Sequence, residues 1–242
     1  CVGGFLPLIY FLRPNTSRLR LTRTRWELRP VLKSAANGSS EFMTNISMSI
    51  VTMLYNWQLL RLMGADGVTV FGIIMYVSFI FVALFLGYSM GSAPIVSFHY
   101  GAGNQEELRG LFRRSLTIIL SMSVGLTLLA IVLAKPLAMI FVSYDPALLS
   151  VTTRALAIYA VSYLLTGFNI YASSFFTALN DGLVSALISF ARTLVFQVLA
   201  VLTLPLLWEA DGIWAAVILA EGLAAILSLA CFLRFRKKYG YA

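Results

Sequence analysis

Two carboxylates stand inside long apolar runs. Glu41 lies in NGSSEFMTNISMSIVTMLYN (37–56) and Glu221 in IWAAVILAEGLAAILSLACFLRF (213–235). A charged carboxylate in an apolar surround costs several kcal/mol unless it is paired, protonated or facing water. Such a group is suited to holding a proton, an inorganic cation or the cationic head of an organic molecule. The spacing around Glu41 adds to this. At 100° per residue, Ser34, Gly38, Glu41, Asn45, Ser49, Thr52 and Asn56 share an arc of about 80° on one helix face. Packing between helices accounts for Ser, Thr and Asn in such a stripe. It rarely needs a carboxylate, so this stripe reads as the wall of an aqueous cavity with Glu41 as its ion or proton site. A second stripe, Tyr159, Ser162, Thr166, Asn169, Ser173 and Thr177, carries no acid and is compatible with either a cavity wall or helix packing. Glu221 sits about nine residues into its run, near mid-bilayer depth. It needs a partner, and Arg192 is one candidate; Arg192 could instead extend to the membrane surface.

The elements that position these groups follow from composition. The chain has 242 residues, 60% hydrophobic and 12% charged. A soluble domain carries about twice that charged fraction. Six apolar runs are long enough to cross a bilayer: 34–60, 68–98, 114–141, 149–177, 184–207 and 212–233. Residues 1–12 read as the end of a preceding membrane helix, which makes the chain a fragment. The breaks carry turn chemistry: GADG (64–67), YGAGNQEE (100–107), SYDP (143–146), ALNDG (178–182) and WEADG (208–212). Gly87-xxx-Gly91 permits close helix packing and Pro94 a bend. The expected organisation is a basic linker at 13–33, a six-helix membrane lobe at 34–233 and a short tail at 234–242.

Fifteen of the eighteen Lys and Arg residues fall on one side of this topology. They put segment 13–33 and the C-terminus in the cytoplasm. The net charge of +8 raises nucleic acid as a partner, but the basic residues sit between apolar runs rather than along a groove. No nucleic-acid partner is expected. One histidine, His99, and two distant cysteines, Cys1 and Cys231, offer no metal set and no supported disulfide. An intramembrane enzyme would need paired Asp residues, a Ser–His pair or a metal cluster, so no enzyme and no cofactor are expected.

The segments APIVSFHYGAGN (93–104), FFTALNDG (175–182) and LPLLWEADGIWAA (204–216) resemble the multidrug and toxic-compound extrusion (MATE) transporters. The likeness extends over essentially the whole chain. It implies an all-α, polytopic membrane fold, with this chain as the C-terminal six-helix lobe of a twelve-helix transporter, preceded by the end of the sixth helix and the linker between lobes. It implies export of cationic or amphipathic drugs in exchange for Na⁺ or H⁺ across the plasma (inner) membrane. The partners implied are small amphipathic cations, membrane lipid and an N-terminal lobe. Many family members carry a Glu in the seventh helix that is implicated in cation or substrate binding; Glu41 stands at the matching position. Some use an Asp in the tenth helix, where this chain has Thr166 and Asn169. The candidate coupling-ion or substrate residues are therefore Glu41, Asn45, Thr166, Asn169 and Glu221, with Ser49, Thr52, Tyr159, Ser162 and Ser173 lining the cavity. A lipid-linked saccharide flippase of the same superfamily is the alternative. It would line its cavity with several cations, for which only Arg154 and Arg192 are candidates.

Overall fold

The computed structural model describes residues 10–11 and 27–241, without the side chains of residue 30 and residues 32–44. It divides into two compact units, Cys1–Gly38 and Ser39–Ala242. Most of the basic linker at 13–33 and of the segment 1–12 lies outside the described residues. Every regular element among the described residues is helical.

The first helix, α1, spans Leu28–Gly101. Its stretch Asn45–Gly101 has 57 residues, about 85 Å if straight, nearly three times the ~30 Å hydrocarbon core. It is not straight. Gly64 has φ 68° and ψ −151°, a conformation open to glycine and strained for other residues. Tyr55 and Phe71 flank it and stack with ring centroids 4.9 Å apart. Sixteen residues of unbroken helix would separate them by about 24 Å. The arms 45–63 and 65–101 therefore fold back on each other as a helical hairpin. Gly67 seals the turn: a Cβ there would come within 2.8 Å of the Met63 Cβ.

Then follow α2 (Gln105–Val142), α3 (Pro146–Ala160), α4 (Tyr163–Ala178) and α5 (Gly182–Phe190). A π-helical segment (Ala191–Phe196), α6 (Gln197–Thr203) and α7 (Pro205–Tyr239) complete the chain. Loop polar residues start three of these helices. Asn104, Asp145 and Asp181 accept hydrogen bonds from the amides of Glu107, of Ala147 and Leu148, and of Val184. α3 and α4 meet at a bend of 46° and, taken together, are long and apolar enough for one span. α7 breaks at Trp208 and Glu209, the latter at φ 47° and ψ −126°. Gly212 closes this turn, since a Cβ there would meet the Leu204 carbonyl oxygen at 2.4 Å. Among the described residues four helices are long and apolar enough to cross a membrane, or five with the bent pair joined. Taking the two arms of α1 separately adds one further candidate span.

The helices extend past those runs. α2 begins at Gln105, so Arg109, Arg113 and Arg114 lie on its first turns rather than in a loop. The hydrogen-bond ladder continues into water because nothing there breaks it; hydropathy marks the membrane, not the helix end. The glycines at 87 and 91 are exposed, and a Cβ at either meets nothing within 4 Å. They pack against no neighbour among the described residues. At the C-terminal end Gly240 turns the chain in the left-handed region, and Tyr241 is fully buried among Phe112, Phe175, Phe176 and Phe232.

Candidate functional site

The polar centre of the lobe forms where α4, the π-helical segment and α7 meet. Glu221, on α7, is 3% exposed. Arg192 reaches it from the π-helical segment, where one extra residue per turn shifts the face that each side chain presents. Its Nε donates to Oε1 at 2.9 Å and to Oε2 at 3.0 Å, and its Nη2 donates to Oε1 at 2.7 Å. From α4, the Asn169 amide donates to Glu221 Oε2 at 2.7 Å and to the Glu221 backbone oxygen at 3.0 Å. The Ser228 hydroxyl donates to Asn169 Oδ1 at 3.0 Å. Both carboxylate oxygens are thus filled by donors, the condition under which a buried ion pair is tolerated. Of the two alternatives for Arg192, the structure shows pairing.

Tyr55, on the first arm of α1, and Tyr159, on α3, lie close enough to Glu221 to interact with it electrostatically. The Tyr55 hydroxyl donates to Gln197 Oε1 at 2.9 Å, one turn and a half beyond Arg192.

The remaining sequence candidates separate into two groups. Glu41 lies on the helical backbone of α1, and its side chain is outside the described residues. Asn45, Ser49 and Thr52 are exposed on the same arm. The Ser49 hydroxyl donates to the Asn45 backbone oxygen at 3.1 Å. The second stripe is turned into the lobe: Ser162, Thr166 and Asn169 are buried, Tyr159 and Ser173 half-buried. The Thr166 hydroxyl donates to the Ser162 carbonyl at 2.9 Å, within its own helix turn. The structure therefore joins Asn169 to Glu221 and leaves Thr166 apart.

Ser173 belongs to a hydroxyl cluster between α4 and α5. Its Oγ lies 2.9 Å from Ser185 Oγ and 2.7 Å from Ser189 Oγ. The Thr177 hydroxyl donates to Ser185 Oγ at 2.7 Å. Ser185, Ser189 and Arg192 follow at helical spacing, a face that the sequence displays beside the more conspicuous carboxylates.

At the end of the lobe that carries the basic residues, Asp181 is held by Tyr239 and by Lys238, the latter at 3.4 Å. Burial pushes the Asp181 carboxyl up, but the Tyr239 hydroxyl, the Val184 amide and Lys238 together outweigh it and hold it below its ordinary range. A cavity of about 250 Å³ opens nearby, between His99, Asn104, Gln105 and Lys238. At the opposite end Arg154 pairs with Asp211.

With this geometry in view, the MatE family profile matches residues 42–202. The chain belongs to the MATE family. Its members are membrane transporters, and the helices above are those of a multi-pass transporter fold. Among solved structures, an outward-facing multidrug resistance MATE family transporter of the MOP superfamily matches with a TM-score of 0.82 at 23% identity. The match covers 98% of this chain and 53% of that one. A MATE in the bent conformation matches with a TM-score of 0.83 at 22% identity, over 100% of this chain and 55% of that one. A MOP superfamily transporter from Pyrococcus furiosus, whose pocket is described as of reverse polarity and suggestive of a different function, matches with a TM-score of 0.83 at 22% identity, over 98% of this chain and 54% of that one. No curated protein matches. This MATE chain spans about half the length of the solved structures it resembles. At these identities the likeness is one of fold: an all-α partial lobe of a MATE transporter.

Proposed function

We propose that the chain works as the C-terminal lobe of a secondary-active efflux antiporter that exports cationic or amphipathic drugs in exchange for Na⁺ or H⁺. The carrying observation is the exposed polar face of the first arm of α1, with Asn45, Ser49 and Thr52. Turned toward hydrocarbon, exposed polar side chains lose their hydration, which is costly. Toward a second lobe it becomes one wall of a water-filled cavity, with Glu41 on the same stripe. A carboxylate there attracts a cation with an apolar body. A proton or Na⁺ competing for the carboxylate neutralises it and releases the cargo, and rocking of two lobes exposes the site to each side in turn. The coupling needs no long-range path because both ligands use one acid.

The two cations that could line a pocket for an anionic lipid-linked saccharide are both neutralised, Arg192 by Glu221 and Arg154 by Asp211. That favours a cationic cargo over the flippase alternative. Localisation in the plasma (inner) membrane, with 13–33 and the C-terminus cytoplasmic, belongs to the same proposal.

The test is transport by the complete protein in liposomes. Uptake of ethidium, an organic cation, is followed under an imposed H⁺ or Na⁺ gradient. Gradient-driven uptake is expected. Movement of a lipid-linked saccharide without ethidium uptake would replace this reading with the flippase.

A further inference from the structure

We propose that the exposed cations at the start of α2 and the end of α7 form a binding belt for the phosphate groups of anionic phospholipids. The belt requires only that these helices cross a membrane and is independent of the antiport reading. The Arg109 Nε donates to the Gly240 backbone oxygen at 3.1 Å, and the Phe112 and Phe232 rings have centroids 5.0 Å apart. These contacts hold the first turns of α2 beside the last turns of α7. Arg109, Arg113 and Arg114 from one helix thereby join Arg234, Arg236 and Lys237 from the other, and all six are exposed. None of them forms an ion pair among the described residues, where the salt bridges are Arg154–Asp211, Arg192–Glu221 and Lys238–Asp181.

Two apolar stripes lead from this patch into the membrane. At 100° per residue, Thr117, Leu120, Val124, Leu128 and Ile131 share an arc of about 80° with Arg113, and all are exposed. The Thr117 hydroxyl donates to the Arg113 carbonyl at 3.1 Å, so its proton is satisfied within the helix. Lys135 continues the same stripe about 33 Å from Arg113, close to the ~30 Å of a hydrocarbon core. On α7, the exposed Leu219, Ile226 and Leu233 share a face with Lys237. Lipid tails are the neighbours that such stripes favour, because water there would meet bare apolar surface. A lipid lying along either stripe carries its phosphate to the height of Arg113 or Lys237.

The chemistry of the patch suits a phosphate. Five of the six cations are arginines, whose planar fork matches two phosphate oxygens at once. Their attraction for an anion is stronger beside apolar surface than in open water. Opposing charge is limited. Glu106 and Glu107 lie on the first turn of α2, about 10 Å further from the apolar stripe than Arg113. Asp181 is taken up by Tyr239 and Lys238. The neighbouring cavity between His99, Asn104 and Gln105 is less suited to an anion, because the lysine in its wall, Lys238, is the partner of Asp181. The outer surface of α2 and α7 therefore takes the headgroups.

The experiment uses the complete protein in a background without native cysteines, with a bimane fluorophore on Ala230→Cys, an exposed position two turns from Lys237. The protein is reconstituted in liposomes of phosphatidylcholine and phosphatidylglycerol in which one lipid or the other carries brominated chains. Quenching then gives the ratio of their association beside the belt. Phosphatidylglycerol is expected to be preferred at least about fivefold, the contribution of one lysine or arginine near an anionic surface. The preference should shrink in concentrated salt. Combining Arg113→Gln, Arg234→Gln, Arg236→Gln and Lys237→Gln should bring the ratio to about one, whereas lysine at the three arginine positions should keep phosphatidylglycerol preferred. Unchanged quenching by brominated phosphatidylcholine shows that the glutamine variant has folded and inserted. Equal quenching by both lipids in the unsubstituted belt overturns the proposal, as does a preference that survives the glutamine substitutions or concentrated salt. Equal quenching together with binding of polyglutamate that the glutamine variant loses also overturns it, and gives the patch to an acidic partner.

Discussion

Arg192 and Glu221 each give up several kcal/mol of hydration on burial, and their attraction offsets this only because every carboxylate oxygen is occupied. Removing one partner leaves the other charge uncompensated. Glu221→Ala or Arg192→Ala should each cost about 3–5 kcal/mol of stability, and the double substitution to methionines should cost less than either. Thermal unfolding in detergent checks this; single variants that melt with wild type would mean the pair does not hold the lobe. Both glutamates were legible in the sequence because a carboxylate in an apolar run stands out. Arg192 was legible as a candidate partner. The hydroxyl cluster was not, because it exists only where α4 lies against α5, and serine in a membrane helix has an ordinary packing explanation at every position taken singly. The exposure of one polar stripe and the burial of the other also needed the fold, since periodicity groups residues on a face without saying what that face meets.

At the scale of elements, two turns share a pattern. Gly64-Ala-Asp-Gly67 and Glu209-Ala-Asp-Gly212 each begin with a left-handed residue and, three positions on, place a glycine against the residue eight before it. Gly67 meets Leu59, and Gly212 meets Leu204. The sequence showed both as turns through their composition, and the structure adds that they reverse helices with almost no loop. Helix ends were less legible, because helices run on into water after hydropathy has fallen. Glu209 occupies a backbone region that suits glycine, at a cost of about 1–3 kcal/mol. Glu209→Gly should therefore raise the melting midpoint by the equivalent of about 1 kcal/mol after glycine's greater unfolded-state freedom is deducted. Gly212→Ala should lower it, since its Cβ would overlap the Leu204 backbone. A rise with Gly212→Ala would contradict the turn geometry.

At the scale of the whole molecule, run length marked apolar membrane helices in the sequence, and charge gives an orientation still to be tested. The account puts the C-terminus in the cytoplasm and the α2–α3 turn outside. Cysteines at Tyr144, exposed beside that turn, and at Lys237 separate the two sides once Cys1 and Cys231 have been replaced. An impermeant thiol reagent added to whole cells should label position 144 and spare 237; the reverse would invert the topology. The central claim is that one carboxylate, shared by a cationic drug and the coupling ion, drives export. Glu41→Gln keeps the shape of that side chain and removes its charge. Efflux of ethidium is to be measured from cells containing equal amounts of wild-type and variant protein. The account requires efflux to fall to the level of cells lacking the transporter; efflux at the wild-type rate would contradict it.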